Sequence, residues 1–493
     1  MTPSRGLPLF VALSAALLSA GPSDPRPRAA VSRLALSPCR LPGLDAEALC
    51  GRLRVPEDRL AKQGRQIEIN VAVLKATGSR PQPDPVVPLA GGPGAAVVSD
   101  AAGTSQWLKD LRASRDILLV DGRGTGGSHP LLCPYQQAEL GAEQQLETFL
   151  PPQGVRECRA ALEHEADLRL YTTPHQVADL EAVREALGYP RLNLVGTSYG
   201  TRSALVYMRQ YPERARSAVL WGVAPTDLRL PESFARDAQN AFDGWVAECL
   251  ADQACREAFP DPAGDLRTVL ARLGQGPVTV EVTSPRGGKR SFALSKNGFI
   301  QTLRYMLYLP DSALRIPVSL HLAATGDFGP LAQTAVTLGS GFLGGLAEGL
   351  YLSVTCSEDV PFLDETASRR GNAGTFLGDF RLERQQEACG LWPRAALPSG
   401  YGEPVSSSVP SLLFSGERDP VTPPTRGEAA VRHLARGRHI VIADGGHDVL
   451  GLDGVDCLDQ LMTTFIVAGT AEGLDTSCLA GVRRQPFPLS LPQ

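Results

Sequence analysis

The chain has no excess of positive charge. Its 48 Lys and Arg face 53 Asp and Glu, a formal net charge of -5, so its overall field favours neither nucleic acid nor an anionic membrane. Only five of the basic residues are lysines, a bias of genomic composition rather than of mechanism. No Cys-x-x-Cys occurs, and no cysteine has a histidine at zinc-finger spacing, which removes a metal framework. Neither a metal nor an organic cofactor is expected. There is no internal repeat and no long low-complexity segment. Beyond residue 20 no apolar run reaches the roughly 20 residues that a membrane-spanning helix needs. What is present is an ordinary globular balance, 43% hydrophobic and 20% charged, which excludes wholesale disorder. At 493 residues the chain is about three times a typical domain of roughly 150 residues.

The N-terminus accounts for part of that length. Arg5 precedes an apolar run from Leu7 to Ala20, and Gly21-Pro22-Ser23-Asp24-Pro25 then breaks any helix. A charged start, a short apolar core and a small-residue exit describe a secretory signal peptide over 1–20. Ser19-Ala20-Gly21 offers no cysteine for a lipid anchor. After signal removal no integral membrane span is expected, and the protein is read as exported, to the periplasm or beyond. The cysteines agree with an oxidising destination. They number ten: Cys39, Cys50, Cys133, Cys158, Cys249, Cys255, Cys356, Cys389, Cys457 and Cys478. Taken in order they form five close pairs. A closure of about 26 residues, as for Cys133 with Cys158, contributes on the order of 3 kcal/mol in the loop-entropy account.

From about residue 67 to 225, short apolar runs alternate with amphipathic stretches. Ile67–Leu74, Pro85–Leu89, Asp116–Val120, Leu192–Val195 and Ser217–Trp221 read as strands, and Thr173–Leu187 reads as a helix stopped by Gly188. Continuous apolar strands separated by helices predict a mostly parallel sheet covered on both faces. The rhythm lapses after 226 into helical patterns, with one hairpin around Val278–Val282 and Ser291–Leu294. The glycine-rich stretch Gly339 to Gly349 reads as loop or closely packed backbone. Strands return at Ser411–Phe414 and His439–Ala443. The expected organisation is therefore a signal peptide (1–20), a linker (21–35), a core in two parts (36–225 and 401–493) and a mainly helical cap between them (226–400).

Gly196-Thr197-Ser198-Tyr199-Gly200 sits between an apolar strand and a helix-compatible stretch. That is the context in which a serine occupies a tight strand-to-helix turn as a nucleophile. The Tyr199 N–H at the helix start then faces an oxyanion. A second donor is expected from Gly91-Gly92-Pro93-Gly94, where Pro93 has no N–H and Gly92 is the first choice. A serine needs a base and the base needs an acid. Of the seven histidines, His447 follows a strand in Asp444-Gly445-Gly446-His447-Asp448, and Asp419 ends another strand 28 residues earlier. The order Ser198, Asp419, His447 is that of the hydrolase triad; Glu417 and Asp444 compete with Asp419 for the acid's place.

Gly-Gly-Pro-Gly (91–94), Asp-Gly-Arg-Gly-Thr-Gly (121–126), Gly-Thr-Ser-Tyr-Gly-Thr (196–201) and Asp-Pro-Val-Thr-Pro (419–423) together resemble the alpha/beta-hydrolase family of prolyl and tripeptidyl aminopeptidases, its secreted tripeptidyl branch above all. Cys133, Tyr171-Thr172-Thr173 with Asp179, and the Cys457 to Cys478 segment extend the likeness over about 36–490. Ala90 stands where that family usually has histidine. The resemblance implies an exopeptidase acting on peptides with a free N-terminus, whose cap carries acids that bind the α-amino group. Glu348, Glu358 and Asp359 are the candidates, the last two preferred because a Cys356–Cys389 bridge would fix their segment. An ester hydrolase using the same triad is the alternative.

Overall fold

The structure is a computed structural model, and it describes residues 33–61, 63–137, 146–284, 287–343 and 345–491. The expected signal peptide lies outside these residues. In chain order the strands longer than two residues are β1 (Ser37–Cys39), β2 (Ala48–Pro56), β3 (Gln66–Leu74), β4 (Gln82–Leu89), β5 (Arg115–Val120), β6 (Leu192–Thr197), β7 (Ala215–Trp221), β8 (Val278–Thr283), β9 (Lys289–Leu294), β10 (Ser411–Gly416) and β11 (Gly437–Ile442). Nine of them build one sheet, ordered β1-β2-β3-β5-β4-β6-β7-β10-β11. From β5 through β11 neighbours run parallel, while β1, β2, β3 and β5 pair antiparallel. This is the mostly parallel sheet that the apolar runs predict.

Both faces of the central strands are covered, and the pleat divides their side chains between two cores. Leu194, Leu220 and Leu413 point to one face, with Val177, Leu180 and Leu205 from the helices Thr173–Leu187 and Tyr199–Gln210. Val195, Val219 and Leu412 point to the other, with Leu461 and Phe465 from the helix Asp456–Ala468. That division explains why these strands read as unbroken apolar runs. The edge strand β1 and its neighbour β2 escape such a reading: β2 buries Ala48, Leu53 and Val55 among more exposed residues before Pro56 ends it. The Cys39–Cys50 disulfide staples β1 to β2 instead. All five disulfides join cysteines in chain order.

Between β7 and β10 the chain leaves the sheet. Most of this insertion packs around a core of its own, with Phe242 and Trp245 of the helix Phe234–Ala251 against Phe299 and Leu303 of the helix Lys296–Met306. The β8–β9 hairpin flanks it as an isolated pair. Gly339 to Gly349 is less of a loop than its composition implies: one helix covers Gly329–Leu343 and the next is Glu348–Glu358. Close packing is the reason for glycine at 349, where a Cβ would lie 2.6 Å from Leu162 Cδ1 and 2.8 Å from the Leu131 carbonyl oxygen. The helix Glu348–Glu358 is buried against Leu131, Leu162, Tyr171 and Tyr199 of the first half of the chain. It roots the insertion beside the end of β6.

Candidate active site

The turn from β6 into the helix Tyr199–Gln210 holds Ser198 at φ 53° and ψ -122°. A non-glycine residue in such a conformation costs on the order of 1–3 kcal/mol and persists only where the surroundings enforce it. Here they do. Ser198 N–H donates to the Trp221 carbonyl at 2.8 Å, and the Ser198 carbonyl accepts from Thr201 Oγ1 at 2.6 Å. A Cβ on Gly200 would lie 1.9 Å from the Leu89 carbonyl oxygen, and one on Gly196 would lie 2.6 Å from that of Gly200. Only glycine fits on either side of this serine.

Gly91 runs against the serine side chain: a Cβ placed there would be 3.2 Å from Ser198 Cβ. Asp121 pins the loop that contains it. Asp121 Oδ1 accepts from the N–H groups of Val97 and Val98 at 2.9 Å each, and Oδ2 accepts from Gly127 N–H at 2.9 Å. The carbonyl of Gly94 also accepts from Ala347 N–H at 2.9 Å, so the loop is held without any side chain at Ala90. The Tyr199 N–H, in the first turn of its helix, has no carbonyl of that helix to bond. Gly92, Ser198, Tyr199 and His447 line one cavity of about 280 Å³, toward the small end of ligand pockets.

Asp419 follows β10 and is 2% exposed. Its Oδ1 accepts from Val421 and Thr422 N–H at 2.8 and 2.9 Å, and its Oδ2 accepts from Thr422 Oγ1 at 2.7 Å. The same Oδ2 meets His447 Nδ1 at 2.8 Å. Burial pushes this carboxyl up, but the charge and hydrogen bond of His447, with the bonds from Thr422, outweigh it and hold the pKa below the ordinary 3.8. The loop that carries His447 docks on the insertion, where the ring meets Tyr308 edge-on at 5.1 Å and Asp448 N–H donates to the Tyr308 carbonyl at 3.0 Å. The competing acids lie elsewhere: Glu417 Oε2 accepts from Asp444 N–H at 3.2 Å, and neither borders the cavity.

The three acids expected on the insertion separate. Glu348 lines the cavity, and burial pushes its carboxyl up to about 8. Glu358 does not line it. Its carboxylate accepts from Thr173 N–H at 2.6 Å, from Thr173 Oγ1 at 2.8 Å and from the Tyr401 hydroxyl. Asp359 is bound to Arg202 Nη1 at 2.9 Å and is likewise off the cavity wall. A disulfide that fixes a segment also buries it, and here it buries the two acids nearest to it. Arg304 and Arg381 also line the cavity. They come from separate helices of the insertion, carry no motif, and were not singled out by the sequence pattern. Thr422, which braces Asp419 and comes within 3.1 Å of His447 Nδ1, was legible only as part of Asp-Pro-Val-Thr-Pro.

A parallel sheet, a serine on a glycine-flanked turn and an acid-bound histidine after the last strands define the class: the chain belongs to the alpha/beta hydrolase fold family, matched over residues 84–453. It is similar along most of its length to serine protease Hip1 of Mycobacterium tuberculosis, at 26% identity covering 90% of each chain. It is also similar to the tripeptidyl aminopeptidase of Streptomyces lividans, at 25% identity over 89% of this chain and 84% of the relative. The proline iminopeptidase of Neisseria gonorrhoeae matches a shorter stretch, 31% identical over 32% of this chain and 37% of its own.

Proposed function

We propose that the protein is an exported serine exopeptidase, an aminopeptidase of tripeptidyl or prolyl type, with the insertion between β7 and β10 as the cap over its cleft. The observation that carries this reading is the position of Glu348 on the same cavity wall as Ser198 and His447. Relatives named as a serine protease, a tripeptidyl aminopeptidase and a proline iminopeptidase support the peptidase class. Five disulfides fit an oxidising compartment. Among the described residues no helix is long and apolar enough to cross a membrane.

In this reading Asp419 holds the Nδ1 proton of His447, leaving Nε2 to take the proton of Ser198. The serine oxygen attacks the carbonyl carbon of the scissile bond, and the N–H groups of Tyr199 and Gly92 receive the oxyanion. His447 returns the proton to the leaving amine, the C–N bond breaks, and water then hydrolyses the acyl-serine by the same proton route. Arg123, fully buried and paired with Asp179 at 2.6 and 2.8 Å, supports this face of the sheet without bordering the cavity.

Glu348 supplies the exopeptidase character. Burial raises this carboxyl to about 8, and a substrate ammonium entering the cavity beside it favours the ionised form. The test compares aminoacyl, dipeptidyl and tripeptidyl arylamides, each with a free or acetylated amine, alongside a short-chain ester. Acetylation is expected to lower kcat/KM sharply for the best arylamide. Cleavage indifferent to acetylation, or confined to the ester, sinks the exopeptidase reading in favour of an ester hydrolase.

A single variant examines the acid itself. Glu348→Gln is expected to weaken free-amine substrates by roughly 10- to 100-fold in kcat/KM, the value of a hydrogen bond to a charged group, and to leave acetylated ones little changed. Stability gives an independent readout. Because the folded pKa of about 8 lies above the ordinary 4.5, the folded protein binds this proton more tightly than the unfolded chain. Its stability therefore falls as pH rises from about 4.5 to 8. Thermal melts from pH 5 to 9 should show the Gln variant gaining on the parent across that window, and a constant difference would contradict the buried-acid account.

A further inference from the structure

Glu358 is fully buried, as is Thr173 beside it. Its carboxylate accepts from Thr173 N–H, from Thr173 Oγ1 and from the Tyr401 hydroxyl. One of these bonds has a local explanation. Thr172 stands at the cap position of the helix Thr173–Leu187 without a side-chain bond to its first turn. Glu358 takes that role from 185 residues away, by accepting from Thr173 N–H. A helix cap does not need the Thr173 hydroxyl as well.

That hydroxyl is the middle of a chain of hydrogen bonds. Thr173 Oγ1 donates to Glu358 Oε2 at 2.8 Å, so toward the Tyr199 hydroxyl, 2.6 Å away, it is the acceptor. Burial, with the Glu358 charge nearby, pushes the Tyr199 phenol up, and the phenol keeps the proton it donates. Ser203, four residues on, also bonds this hydroxyl, but that contact travels with Tyr199's own helix. Thr173 and Glu358 belong to two other helices, Thr173–Leu187 in the core and Glu348–Glu358 in the insertion. Arg202 repeats the tie one turn after Tyr199, with Nη1 2.9 Å from Asp359 Oδ1 and 3.7 Å from Glu358 Oε2.

The chain ends at a sensitive place. Tyr199 follows Ser198, whose φ of 53° persists only while its surroundings enforce it. In the acyl-transfer mechanism the Tyr199 N–H receives the oxyanion. Such a donor works only when aimed at the point where charge develops, and a misplacement of about 1 Å can cost on the order of 10²-fold.

We propose that Thr173 and Glu358 are positioning residues of the oxyanion site: they hold the Tyr199 side chain, and with it the backbone N–H that meets the developing charge. The inference rests on the acyl-transfer mechanism proposed above but not on the choice between peptide and ester, since both form an oxyanion at the same place.

Steady-state kinetics of Tyr199→Phe, Thr173→Val and the double variant test it, on the best arylamide or, where no arylamide is cleaved, on the short-chain ester. Each single variant is expected to lose about tenfold in kcat with KM within about twofold, less than the 10²- to 10³-fold of a donor removed outright. The double variant should lose no more than the worse single one, because both cut the same chain. Thr173→Ser keeps the hydroxyl and should retain kcat within about threefold. Glu358→Gln keeps an oxygen for Thr173 N–H but turns an NH₂ toward the Thr173 hydroxyl, and should match Thr173→Val. Inhibition by an aldehyde carrying the substrate's acyl group, whose adduct with Ser198 places an oxygen at the oxyanion site, should weaken about tenfold in both single variants, while the corresponding primary amide binds as before. A merely structural role lowers the melting temperature and leaves kcat and aldehyde affinity within twofold. That outcome in Tyr199→Phe, which leaves the bond between Glu358 and Thr173 N–H in place, overturns the proposal even if the Thr173 and Glu358 variants fail to fold. Losses that multiply in the double variant, a loss confined to KM, or a folded Glu358→Gln protein with parental kcat overturn it as well. Ester cleavage alone would sink the exopeptidase reading and leave this test intact.

Discussion

Ser198→Ala is expected to lower kcat by about 10⁶-fold while leaving the melting temperature nearly unchanged, since removal of the nucleophile from a triad costs about that much. The two halves of this result have different origins. The rate falls because the hydroxyl that attacks the scissile carbonyl in this mechanism has gone. The stability holds because alanine keeps a Cβ and inherits the same unfavourable φ of 53°, so the strain at the turn is neither relieved nor increased. Ser198→Gly separates the two: it loses the oxygen but also the steric penalty, and should melt higher than both parent and alanine variant by the equivalent of about 1–3 kcal/mol. Steady-state kinetics on the best arylamide, with scanning calorimetry on all three proteins, checks both. Activity of the alanine variant within about 100-fold of the parent would remove Ser198 from the nucleophile's role, since that is far less than the loss seen on deleting a triad nucleophile.

The serine turn and the central strands were legible for a common reason: both are written in adjacent residues. Ile117 to Val120 alternate between two cores and so look continuously apolar, and Gly196 and Gly200 flank Ser198 because no other residue fits there. Asp419 and His447 could be placed because each follows a strand in a short loop. The expected acids could not be ranked from sequence. Glu348 and Glu358 are the first and last residues of one helix, about 15 Å apart at 1.5 Å per residue. Only the packing of that helix decides that the first borders the cavity and the second is consumed by Thr173 and Tyr401. Arg304 was hidden for a related reason. On a helix whose Phe299 and Leu303 face the core, a neighbouring arginine reads as solvent-facing, yet it is 1% exposed. Partners that meet across the insertion leave no local signature.

Asp419→Asn is the second large effect, with kcat expected to fall about 10⁴-fold, as in other Ser-His-Asp sites. The loss follows from where the hydrogens must go. In the parent, Oδ1 is occupied by the N–H groups of Val421 and Thr422, and Oδ2 accepts from both Thr422 Oγ1 and His447 Nδ1. An asparagine can keep its oxygen toward the two backbone N–H groups, which then places its NH₂ against His447. That amide donates where the carboxylate accepted, so Nδ1 must become the acceptor and the imidazole proton moves to Nε2. With Nε2 protonated the ring has no lone pair for the proton of Ser198. The loop geometry survives, and the variant should remain folded. Its stability has a pH signature of its own. Asp419 has a folded pKa below the ordinary 3.8, so ionisation stabilises the parent above about pH 4, and that contribution is lost as pH falls through the folded value. The melting-temperature advantage of the parent over Asp419→Asn should therefore be present at pH 7 and shrink below pH 4. A 10⁴-fold loss of kcat with this convergence assigns the acid's place to Asp419. A rate within tenfold of the parent would return that place to Glu417 or Asp444.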